Sequence, residues 1–156
     1  MIWPFRRKSK KRIARIVIDE PITSSTRVSV LKALKQIEDR EFPALIVRID
    51  SPGGTVGDSQ EIYSAIKRLK DKGCKVIASF GNISASGGVY IGVASDKIVA
   101  NPGTITGSIG VIIRGNNLSE LLDKIGIKFE TVKSGVFKDI LSPDKPLSEE
   151  GRGLLQ

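Results

Sequence analysis

An α/β domain built on a largely parallel sheet is the fold class that the sequence predicts, and three observations carry it. Short runs rich in Val and Ile alternate with segments whose apolar residues recur at helical spacing. Glycine pairs and prolines fall at the changes of period rather than in long linkers. The 156 residues, 40% hydrophobic and 27% charged, suffice for one globular domain with a core.

The elements follow in order. The run Ile13-Ala14-Arg15-Ile16-Val17-Ile18 reads as a first strand, and 27–39 as a helix with Val30, Leu31, Leu34 and Ile37 on one stripe. A second strand at 44–49 runs into Gly53-Gly54. The next helix places Ile62, Ala65, Ile66 and Leu69 on one face, with Thr55 and Asp58 as a capping-box candidate and Gly73 as its stop. Residues 76–80 form a third strand leading into Ser86, and a buried helix begins at Gly87. Strands are expected at 97–100, 108–113 and 128–132, with a helix at 117–125 between the last two. Ser148-Glu149-Glu150 opens a further helix that the chain ends before completing, so the C-terminal part of the domain is expected to be missing. The expected organisation is a basic N-terminal tail over 1–12 and a domain over 13–156.

The formal charge is +8, and seven of the positive charges lie in the first fifteen residues, leaving +1 for the rest. Basic character thus belongs to the tail, which Ile2, Trp3, Pro4 and Phe5 precede. A peripheral contact with an anionic membrane fits this layout, each basic residue near such a surface contributing about 1 kcal/mol. No basic stripe with interleaved aromatics continues into the domain, which argues against nucleic acid. No run of 18 apolar residues and no secretory signal is present, so a cytoplasmic location, free or on that side of a membrane, is expected. The single cysteine, Cys74, reads as a small hydrophobe entering a strand.

The chain contains no histidine, and this constrains its chemistry. A serine nucleophile needs a base, and without histidine a lysine is the well-known substitute. Three segments at strand-to-loop transitions hold candidates. In Asp50-Ser51-Pro52-Gly53-Gly54 the glycines let backbone N–H groups approach a ligand at a helix N-terminus, where an oxyanion would be stabilised. Ser86 precedes Gly87-Gly88 at another helix start, where it is either a nucleophile or an N-cap, with its own N–H or that of Gly87 as a further donor. Ser84 and Ser108 compete with it, and spacing does not choose among them. Lys138, in Ser134-Gly135-Val136-Phe137-Lys138-Asp139, serves as a base only if burial lowers its pKa. Ile109, Val136, Phe137 and Ile140 are candidate walls, and Asp139 opposes the shift unless it faces away; read alone, the segment also fits a surface lysine.

The stretches 49–54, 85–90, 106–111 and 134–140, in this order, resemble the signal peptide peptidase A (protease IV) family of serine-lysine peptidases. The resemblance implies a Clp-protease/crotonase-like fold with Ser86 as nucleophile and Lys138, 52 residues later, as general base. It implies Gly53, Gly54 and Gly87 as the oxyanion hole and Ser108 as a supporting hydroxyl that orients the lysine. It further implies no metal or organic cofactor, peptide substrates derived from membranes such as remnant signal peptides, and a homo-oligomer. Two rival readings stand beside it. One is a crotonase-like enzyme of acyl-coenzyme A, which usually needs acidic catalytic residues where only Asp50 and Asp139 stand in the motifs. The other is a truncated, non-catalytic module that binds a membrane surface.

Overall fold

The computed structural model describes residues 12–156; the basic segment 1–12 lies outside the described residues except for Arg12. The chain divides into two compact units, one ending at Val111 and one spanning Ile112–Gln156.

The first unit contains β1 (Ile13–Ile18), α1 (Ser24–Asp39), β2 (Ala44–Ser51), α2 (Val56–Asp71), β3 (Lys75–Ala85), α3 (Gly87–Gly92), β4 (Lys97–Val99) and β5 (Ile105–Gly107). Every strand pairing is parallel, in the order β1-β2-β3-β4, so the expected α/β class holds. β4 pairs with residues 77–79 of β3, and β5, an unexpected strand, pairs with 83–85 further along it. Burial alternates along β1 and β2, so one face packs under helices while the other stays accessible. Ile16, Ile18, Leu45, Val47, Ile49, Val76 and Phe80 meet the α1 stripe of Val30, Leu34 and Ile37 and the α2 stripe of Ile62, Ile66 and Leu69. Burying each such side chain contributes roughly 1.5–3 kcal/mol, which makes this the stabilising centre of the unit.

Both long helices stop in the same way. After α2, Gly73 (φ 91°) donates its N–H to Lys70 O and Cys74 donates to Leu69 O at 3.3 Å. After α1, Glu41 takes the same left-handed position (φ 53°), and Phe42 donates to Ile37 O at 3.2 Å. The expected capping box is altered: the Thr55 hydroxyl bonds the Asp58 carboxylate instead of a helix N–H. Cys74 is buried, as expected of a small hydrophobe, and burial pushes its thiol pKa up.

In the second unit, α4 (Ser119–Lys124) and α5 (Glu149–Leu155) are joined by turns. Ser148 caps α5 by accepting the Gly151 N–H at 3.0 Å, as its position predicts. Strands at 108–113 and 128–132 do not form. An extended segment needs a neighbour for its N–H and C=O groups. Ile112, Phe129 and Val132 gain no strand partner among the described residues and remain exposed.

Candidate active site

In the first unit, two glycine loops meet where β2 and β3 end. β2 shifts register against β3 between Ile49 and Ser51, and the Asp50 side chain fills the irregularity. Its carboxylate accepts the Ile83 N–H at 3.0 Å, which holds its pKa below the ordinary carboxylate range. Gly81 leaves room for that carboxylate, since a Cβ there would lie 2.3 Å from it. Ser51, fully buried, donates its hydroxyl to Glu20 O at 2.8 Å and accepts the Gly53 N–H at 3.2 Å. The loop then ties to Ile22: the Ile22 N–H donates to Gly53 O at 2.9 Å, and the Thr55 N–H donates to Ile22 O at 3.0 Å.

The second loop turns at Ser86, whose φ of 50° and ψ of −116° are rare for a residue with a side chain. The strain is held by neighbours: the Ser86 N–H donates to Gly107 O at 2.8 Å, and the Tyr90 N–H donates to Ser86 O at 3.0 Å. Ser86 stands at the N-cap position of α3, but its hydroxyl makes no cap hydrogen bond and is left free for other work. It is half-buried, whereas Ser84 is fully buried with its hydroxyl turned away from any partner. Burial removes Ser84 as a nucleophile that a substrate could reach. Ser108 follows Gly107, is exposed and has φ 52°.

Close packing explains why these loops need glycine. A Cβ on Gly53 (φ 98°) would lie 2.7 Å from Gly87 N and 2.8 Å from Ser86 Cβ. One on Gly54 would lie 1.9 Å from Ile22 O, and one on Gly87 2.4 Å from Ser59 Oγ. The same geometry engages two of the expected donors. The Ser86 N–H is engaged by Gly107, and the Gly53 N–H by Ser51. Neither the Gly54 N–H nor the Gly87 N–H donates any of the loop hydrogen bonds that hold Gly53 and Ser86 in place. The structure thus brings Gly53, Gly54, Ser86, Gly87 and Ser108 to one end of the sheet.

Lys138 lies in the second unit, exposed, within successive turns in which the Lys138 N–H donates to Gly135 O and the Ile140 N–H to Phe137 O. Val136 and Phe137, two of its expected apolar walls, are themselves exposed, as is Ile109 in the first unit. Its neighbour Asp139 faces elsewhere: Lys133 donates to Oδ1 at 2.8 Å and Lys145 to Oδ2 at 2.5 Å. These two lysines lower the Asp139 pKa to about 2. The pinning roles of Ile22, Ser51 and Asp50 escaped the sequence reading. The sequence hint was faint: a lone apolar residue in Pro21-Ile22-Thr23, and polar residues at the end of an apolar strand.

Comparison with known proteins supplies the lineage. The chain is 61% identical over all 156 residues to a Synechocystis sp. protein named as a protease, slr0021, and spans 56% of that protein's length. It is 39% identical over 120 residues to the chloroplastic serine protease SPPA of Arabidopsis thaliana, covering 76% of this chain and 18% of that one. Protease 4 of Salmonella typhi is 36% identical over 118 residues, 76% of this chain and 19% of the relative. The chain therefore spans about half or less of the curated relatives it matches. Among solved structures, the 1510-N membrane-bound stomatin-specific protease superposes with a TM-score of 0.60 at 27% identity, over 70% of this chain and 52% of that one. It was determined as a serine-to-alanine variant, and also as a lysine-to-alanine variant in complex with a substrate peptide. Residues 68–156, which include both Ser86 and Lys138, match the family model described as peptidase family S49. The chain belongs to peptidase family S49.

Proposed function

We propose that this protein is a serine endopeptidase in which Ser86 is the nucleophile and Lys138 the general base. Once the working homo-oligomer encloses it, Lys138 in its neutral form takes the proton from the Ser86 hydroxyl, and Ser86 Oγ forms a bond to a peptide carbonyl carbon. The Gly54 and Gly87 N–H groups hold the resulting oxyanion, with Gly53 shaping the loop. The amine leaves with a proton, and water then releases the acyl group. Each oxyanion donor of this kind lowers the barrier by about 2.7–4 kcal/mol. Ser108 is the hydroxyl that orients Lys138. The observation that carries the reading is Ser86 itself: a strained, half-buried serine at a strand-to-helix turn, packed against the bare backbone of Gly53. The absence of histidine leaves lysine as its base.

Peptides derived from membranes, such as remnant signal peptides, are the substrates we infer, in line with the names of family members. The basic tail then serves as a salt-sensitive contact with anionic lipid, and the working form is a homo-oligomer. Among the described residues no helix is long and apolar enough to cross a membrane.

A fluorophosphonate probe tests the chemistry. It should label the protein on Ser86, and Ser86→Ala should abolish labelling. Lys138→Ala should slow it at least ~100-fold, the lower range for loss of a general base. Labelling of Ser86→Ala at the wild-type rate would refute the assignment.

A further inference from the structure

We propose that Asp139 is a positioning residue for Lys138: gripped by Lys133 and Lys145, it shapes the turn that carries Lys138 and leaves that amine without a counter-ion. The inference rests on Lys138 acting as the base.

A lysine followed directly by an aspartate has its nearest anion one residue away. An adjacent carboxylate favours the charged ammonium, and an ammonium cannot accept a proton. Here both carboxylate oxygens are occupied by other lysines, one from each side of the turn. Lys133 also donates to Val136 O at 2.9 Å, so it grips the backbone just before Lys138 as well. The clamp thereby ties Lys133, Val136, Asp139 and Lys145 together across the segment that contains Lys138. It is partly sheltered, the Asp139 side chain being 17% exposed. Lys138 pairs with no carboxylate among the described residues.

The surrounding charges are accounted for. Asp144 accepts the Ser142 hydroxyl and acts on Lys145. α5, which packs on Ile140 through Gly151, carries Glu149 and Glu150, with Arg152 Nε 3.9 Å from Glu149. α4, whose N-cap residue Leu118 donates its N–H to Pro143 O, carries Glu120, Asp123 and Lys124. Among the ion pairs of the second unit, the Asp139 clamp is the one that flanks Lys138 directly.

Two readouts test this on the intact protein. Carbon NMR of the lysine Cε resonances follows the titration of Lys138, assigned by Lys138→Arg. The acid limb of fluorophosphonate labelling against pH reports the same group kinetically. Lys133→Gln and Lys145→Gln each keep one arm of the clamp but free one carboxylate oxygen of Asp139 toward Lys138, and each should raise the Lys138 midpoint and the acid limb. Asp139→Asn should move both down, and Asp139→Glu should restore the wild-type values. A Lys138 midpoint unmoved in both lysine variants, or raised in Asp139→Asn, overturns the proposal. Should Asp139→Asn not fold, the two lysine variants decide. Full labelling of Lys138→Ala would remove the general-base reading instead, and the NMR titration would still judge the clamp.

Discussion

Ser86 occupies a backbone conformation that costs of order 1–3 kcal/mol and persists only where its surroundings over-determine it. Those surroundings are identifiable: the bond to Gly107 O, the bond from Tyr90, and the bare face of Gly53 against Ser86 Cβ. Gly53 is therefore the residue where a single methyl group should do most harm. Its φ of 98° disfavours any side chain, and an alanine Cβ would overlap Gly87 N, Ala85 O and Ser86 Cβ. Gly53→Ala should lose about 1–3 kcal/mol in denaturant melts, the cost of one residue forced into a disfavoured backbone region. It should also label with a serine probe at least ~10-fold more slowly, the donors beside Ser86 being displaced. Gly57→Ala is the control. Its Cβ would meet nothing within 4 Å on α2, so it should gain about 0.5–1 kcal/mol through helix propensity. Equal stability and labelling in the two variants would refute the packing account.

At the scale of elements, what was legible in the sequence was whatever a repeat period encodes. The stripes of α1 and α2 and the apolar runs of β1 and β2 appear in the structure because each meets a partner that the same unit supplies. The stop at Gly73 was legible because glycine advertises a left-handed residue. The identical stop at Glu41 was not, since glutamate carries no such signal and is held at φ 53° by the chain's need to turn into β2. That mismatch makes a stability prediction. A left-handed non-glycine residue costs about 1–2 kcal/mol, partly offset by the extra chain entropy of glycine in the unfolded state. Glu41→Gly should thus raise stability by about 0.5–1 kcal/mol with labelling of Ser86 unchanged. A lower melting temperature would mean that the side chain itself stabilises the turn.

Across the whole molecule, the two units differ in what they bury. The hydrophobic core lies entirely between Ala14 and Ala94, whereas Gly151 is the one buried residue described in the second unit. The glycines of the two loops were legible, because a close approach of backbone to backbone leaves room for no side chain. The strands expected at 108–113 and 128–132 were misjudged for a physical reason: an apolar run records a wish for a partner, not the partner's presence. Ile112, Phe129 and Val132 remain exposed because a strand is completed by its neighbour. Local stability should follow the burial. Amides in β2 and β3 are closed by sheet bonds over a packed face and should exchange only on global unfolding, while those of 112–156, secured by turns, should open locally. Hydrogen exchange should therefore show residues 112–156 exchanging at least ~100-fold faster than Val47 or Ala78. Equal protection would show that the exposed apolar residues of the second unit are covered in solution, by another copy or by further polypeptide, and the difference in burial would then cease to describe the working protein.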